Sequence, residues 1–113
     1  MTLEELIAWY LYHFHSGERR VVSSRELESE FQVRGPDLRR IINSLRGNGI
    51  PICSSDKGYF YAETEEELDR TIQQLRSRIK KIAHAERGLS RAKRQRFPNR
   101  AQISFPLDGG DSG

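Results

Sequence analysis

The residues best suited to recognition chemistry in this chain are Arg39, Arg40 and Asn43. A guanidinium donates two hydrogen bonds to guanine O6 and N7, and a carboxamide exchanges two with adenine N6 and N7. Asp37, Ser44 and Arg46 lie on the same segment and point with them away from its apolar side. Upstream, the hydroxyls of Ser23 and Ser24, with Arg25 and Arg34, suit phosphate oxygens. Downstream, Lys57 sits in a turn from which it could reach a phosphate or the minor groove. The plainer reading of such a set is a solvated helix face. What precedes and follows it favours contact with double-stranded DNA.

Other chemistries have little to stand on. His13, His15 and His84 have no metal-ligand spacing with Cys53, the single cysteine. Cys53 falls in a β-like segment and reads as a small buried apolar residue, not as a nucleophile. There is no phosphate-cradling glycine loop, no dinucleotide turn and no Ser-His-Asp arrangement. No catalytic residue, cofactor, metal or small-molecule ligand is therefore expected.

The elements that must position the basic residues are well marked. Thr2-x-x-Glu5, Ser23-x-x-Glu26 and Thr64-x-x-Glu67 each match the capping box that opens a helix. The first predicted helix covers about Leu3 to Phe14, with Leu3, Leu6, Ile7, Tyr10, Leu11 and Phe14 on one stripe. Val21-Val22 suits a minimal strand. A second helix spans about Ser24 to Phe31, and the turn Gln32-Val33-Arg34-Gly35 follows. A third begins at Pro36, where the missing N–H costs nothing, and stops at Gly47-Asn48-Gly49. It buries Leu38, Ile41, Ile42 and Leu45. The pattern then alternates. Ile50 and Ile52 share a strand face, Pro51 marks an edge, Ser54 to Gly58 forms a loop, and Tyr59 to Ala62 returns.

A fourth helix is expected from Glu65 to Arg87. Its apolar residues, Leu68, Ile72, Leu75, Ile79 and Ile82, step by four and three, the spacing of a coiled-coil seam. This seam is expected to join two copies of the chain, the alternative being that it packs on the first helix. Trp9, Tyr12 and the other aromatic residues of the first helix read mainly as core. Beyond Gly88 the periodicity fades, and disorder is expected from about residue 92.

Charge divides unevenly. Residues 1–62 hold eight basic and eight acidic side chains, and residues 87–113 hold six basic and two acidic. The whole chain carries a formal +3 over 113 residues, so any strong pull on DNA must come from its end or from pairing. The basic run 87–100 reads equally as an electrostatic arm or as a solubilising end. No stretch approaches the ~18 apolar residues of a membrane span. The N-terminus begins with acidic residues and is amphipathic, unlike a secretory signal. One cysteine excludes an internal disulfide and fits a cytoplasmic location.

The segment "SSRELESEFQVRGPDLRRIINSLRGNGIPICSSDKGYFYA" resembles the winged helix-turn-helix at the N-terminus of biotin–protein ligases of the biotin-operon repressor type. Ser24 and Leu27, the run "INSLRGNGI" and the run "KGYFYA" carry the resemblance, which covers about a third of the chain. It implies a recognition helix over 36–46 in the major groove and a wing over 53–59 on the backbone. The ligase domain and its adenylate loop have no counterpart, so neither biotin chemistry nor biotin sensing is implied. Gly35-Pro36 also replaces the Ser or Thr cap expected before that helix. The layout is similar, too, to small DNA-binding proteins of phages and prophages.

The expected class is thus α+β, mainly α: a winged helix-turn-helix domain over 1–63, a dimerising helix over 64–88 and a basic tail over 89–113. The expected function is that of a DNA-binding transcription regulator, bacterial or phage, working as a homodimer. Two alternatives are a phage replication or packaging accessory protein and a winged-helix module that binds protein.

Overall fold

A computed structural model describes residues 1–98. The described residues are mainly helical with one small antiparallel sheet. In order, α1 spans Leu3–Phe14, a 3-10 turn spans Glu18–Arg20, α2 spans Ser24–Phe31 and α3 spans Gly35–Gly47. Strands β1, Ile52–Ser55, and β2, Gly58–Tyr61, follow, and α4 spans Glu65–Arg96.

Local chemistry sets the helix starts. All three capping boxes form, with the Glu5, Glu26 and Glu67 backbone N–H groups donating to the hydroxyls of Thr2, Ser23 and Thr64 at 3.1, 3.1 and 3.2 Å. Helix α3 lacks such a cap and starts with Pro at its first turn. Helix α2 ends on Gln32 in the left-handed region at φ +55°, a conformation usually left to glycine or asparagine. Its side chain donates to the Ser29 carbonyl at 2.7 Å, which holds the turn into α3.

The hairpin is tighter than the alternating pattern suggested. Ser55 pairs with Gly58, so the turn is only Asp56-Lys57, and Ser54 and Ser55 belong to the ladder. Strand β1 begins at Ile52, because Ile50 and Pro51 lead into it without joining it. In place of the minimal strand expected at Val21-Val22, Val22 forms an isolated antiparallel bridge beside β2, exchanging two backbone hydrogen bonds with Tyr59 at 2.9 and 2.8 Å. That approach demands Gly58. Its φ is +143°, and a Cβ there would lie 2.0 Å from the Val22 carbonyl oxygen.

One core serves this part of the chain. Ile7 and Leu11 of α1, Val22, Leu27 of α2, four residues of α3 (Leu38, Ile41, Ile42, Leu45) and Ile52 of β1 form a single buried cluster. Five residues expected inside it, or on its edge, are instead exposed: Leu3, Leu6, Trp9, Tyr12 and Phe14 of α1. Ile7 and Leu11, four apart, fill the inward side of a twelve-residue helix with half-buried Tyr10 packed beside them, so Leu3, Leu6 and Phe14 of the stripe face solvent.

The compact unit runs from Met1 to Gln74 and includes the first turns of α4. Buried Glu67 and Thr71 attach those turns. The Glu18 N–H donates to Glu67 Oε2 at 2.9 Å, and the Ser54 N–H donates to Thr71 Oγ1 at 3.3 Å. The second unit begins at Leu75. Helix α4 does not stop near Arg87, as expected, but continues to Arg96. Gly88 costs about 1 kcal/mol inside a helix, and the strong helix formers Leu89, Arg91, Ala92, Lys93 and Arg94 offset it. The helix closes just before Pro98, with Lys93, Arg94 and Arg96 at the negative end of its dipole. The disorder expected from residue 92 is therefore absent over 92–96. The rest of the expected tail, residues 99–113 with Arg100, lies outside the described residues.

Candidate nucleic-acid interface

The α2–turn–α3 segment places the candidate residues. The buried side of α3 is Leu38, Ile41, Ile42 and Leu45. At 100° per residue, Arg39, Asn43 and Arg40 fall within an arc of about 100° on the opposite side, and all three are exposed. Asp37 and Ser44 both lie beyond the Arg40 edge of that arc and are half-buried. Arg34, just before α3, is exposed.

Asp37 is the electrostatic centre of this end of the helix. The Arg34 Nε donates to its carboxylate at 3.4 Å, and Arg40 donates through Nη1 at 3.1 Å and also through Nη2. Desolvation raises the Asp37 pKa, but the bonds and charges of Arg34 and Arg40 outweigh it and hold the carboxyl below its ordinary range. Asp37 stays ionised at neutral pH and cancels part of the charge its partners would offer a phosphate. Among the described residues, Arg39 and Asn43 have no such partner within α3.

Arg46 is half-buried and bonded within the fold. Its Nε donates to the Ile52 carbonyl at 2.8 Å and its Nη2 to Ser54 Oγ at 3.1 Å, so it ties the last turn of α3 to β1. The sequence places Arg46 on the solvent side, but the chain reverses at Gly49, φ +86°, and brings β1 back alongside it. Ser23 is likewise occupied, as the cap of α2, accepting from the Glu26 N–H and donating to Glu26 Oε1 at 3.1 Å. Ser24 and Arg25 are exposed in the first turn of α2. That helix also carries Glu26, Glu28 and Glu30, so its surface is net acidic. Lys57 is exposed at the hairpin tip beside Asp56.

In the seam of α4, Leu68 and Leu75 are half-buried, and Ile72, Ile79 and Ile82 are exposed. Leu89 continues the seam on the extra turns and is 73% exposed.

Cys53 is fully buried in β1. Burial pushes its thiol pKa up, against the counteracting hydrogen bond with Thr71, so the reactive thiolate is disfavoured. Among the described residues, no group of three or more His, Cys, Asp or Glu side chains could hold a metal ion. No helix among them is long and apolar enough to cross a membrane.

The residue that sequence reasoning passed over is Glu67. Beyond capping α4, it accepts from the backbone N–H groups of Glu63, Thr64 and Glu18 at 2.7, 3.2 and 2.9 Å. The capping box is visible in sequence; the contact with Glu18 depends on how the 3-10 turn folds back and left no signal there.

No protein-family model matches the chain, and no curated protein or solved structure matches it either.

Proposed function

We propose that this chain is a winged helix-turn-helix protein that binds double-stranded DNA sequence-specifically and regulates transcription in a bacterium or phage. Helix α2 is the supporting helix, α3 the recognition helix, and the β1–β2 hairpin a short wing. The observation that carries the reading is the exposed Arg39–Arg40–Asn43 arc, set opposite a fully buried apolar side and beyond a three-residue turn from α2. These are the side chains that read guanine and adenine edges in the major groove. Lys57 meets a phosphate. Two copies associate through α4, since one near-neutral domain offers few phosphate contacts.

Selection from a random duplex pool with the full-length protein tests this reading. Enrichment of a motif with paired half-sites is expected. A pool that stays random contradicts sequence-specific reading.

One observation favours a second reading. Leu6, Trp9, Tyr12 and Phe14 leave an exposed aromatic and aliphatic surface on α1, and α2 is acidic. Such a surface suits a protein partner, as in a replication or packaging accessory factor. Loss of DNA binding in Arg39→Ala with no effect from Trp9→Ala favours the first reading; a wild type that binds no duplex at low salt favours the second.

A further inference from the structure

Helix α4 has an apolar seam and a charge gradient along the same axis. With Leu68 at heptad position d, Ile72 and Ile79 fall at a, and Leu75, Ile82 and Leu89 fall at d. Apolar residues at both a and d make the seam of a coiled coil. Ile79, Ile82 and Leu89 are 63, 62 and 73% exposed, so the far part of the seam is uncovered. Continued beyond Ile82, the heptad places Glu86 and Lys93 at a as well. Residues 65–74 hold four acidic side chains and one basic, whereas residues 87–96 hold five basic and none acidic.

We propose that α4 pairs antiparallel with the α4 of a second copy of this chain. The inference deepens the self-association proposed above and does not rest on DNA binding. In a parallel pair, Glu86 would meet Glu86 and Lys93 would meet Lys93 within the seam, acid-rich start would lie on acid-rich start, and base-rich end on base-rich end. Like charges in those places oppose association. Antiparallel overlap of Glu65–Arg96 with itself removes each like-charge meeting and sets Glu86 beside Leu75 of the partner subunit. It sets the acid-rich start against the base-rich end, which also aligns the two helix dipoles favourably. It sets Ile72 against Leu89 of the partner subunit and Ile79 against Ile82 of the partner subunit. The Lys93 stem then lies along Leu68 of the partner subunit, with its ammonium in water.

Oxidative crosslinking of full-length variants tests the orientation, read beside sedimentation of the unmodified chain. Ile72→Cys and Leu89→Cys are made singly and together. Both positions are exposed, and Cys53 is buried and remains as the control. The two introduced thiols of the double variant are about 26 Å apart along one helix, so they cannot bond within a chain. The expected result is an associating wild type, a covalent dimer of the double variant and none from either single variant. Covalent dimers from the single variants overturn the antiparallel orientation while leaving self-association standing. A monomeric wild type, with no covalent dimer from the double variant, overturns self-association itself. Neither outcome touches the DNA reading, which the duplex selection examines separately.

Discussion

The Glu18 backbone N–H donates to the Glu67 carboxylate across 49 positions of sequence, and this bond helps hold the start of α4 to the turn after α1. Glu67 is buried, and Arg70 binds the Glu18 side chain at 2.8 Å beside it. Desolvation pushes the Glu67 pKa up, but three backbone donors and the Arg70 charge outweigh it and hold the carboxyl below its ordinary value. Its folded pKa is thus lower than its unfolded one. The stability it contributes is complete above the unfolded carboxylate pKa and is lost as pH falls through the folded value. Glu67→Ala is expected to cost about 1–3 kcal/mol at neutral pH and to flatten the acid limb of a stability–pH curve. Urea denaturation of both proteins over that range checks this.

Arg46→Ala separates structure from recognition. Removing its bonds to Ile52 and Ser54 leaves half-buried acceptors on β1 without a donor. A loss of about 1–3 kcal/mol in folding stability is expected. Arg39→Ala, on an exposed side chain, is expected to leave stability within about 0.5 kcal/mol of the wild type. Parallel urea titrations give both values.

Gly58→Ala is expected to destabilise by at least about 3 kcal/mol, because the new Cβ would overlap the Val22 carbonyl at a positive φ. Thermal unfolding followed by circular dichroism reads the loss, and hydrogen exchange at Val22 and Tyr59 should show it first.

Asp37→Ala releases Arg34 and Arg40 from their ion pairs. Binding to random duplex DNA should then tighten, and the slope of log K against log salt should steepen by roughly 0.9 for each phosphate gained. An unaltered slope would mean that neither arginine lies near the backbone.

Helix starts, the buried side of α3 and the order of elements were legible because each rests on local rules: a cap three residues before its Glu, an apolar repeat, a glycine stop. What depended on distant segments was not. Arg46 looks solvent-facing on a helical wheel, and only the return of β1 shows its partners. The exposed aromatic residues of α1 look like core by composition, and only the limited packing around Ile7 and Leu11 shows otherwise. The length of α4 was hidden because Gly88 resembles a stop, although the eight residues after it favour helix. Within the candidate site, Arg39 and Asn43 could be picked out from sequence, but the neutralising hold of Asp37 on Arg40 depends on the side-chain conformations that the fold selects.

The measurement that bears most directly on the central claim is equilibrium binding of the full-length protein and of Arg39→Ala to duplex DNA across a salt series. The wild type is expected to bind at low salt and weaken as salt rises. On a duplex carrying the selected motif, Arg39→Ala is expected to lose about 1–3 kcal/mol. No binding by the wild type at low salt, or equal affinity of the two proteins for the selected duplex, would contradict α3 as a DNA-reading helix.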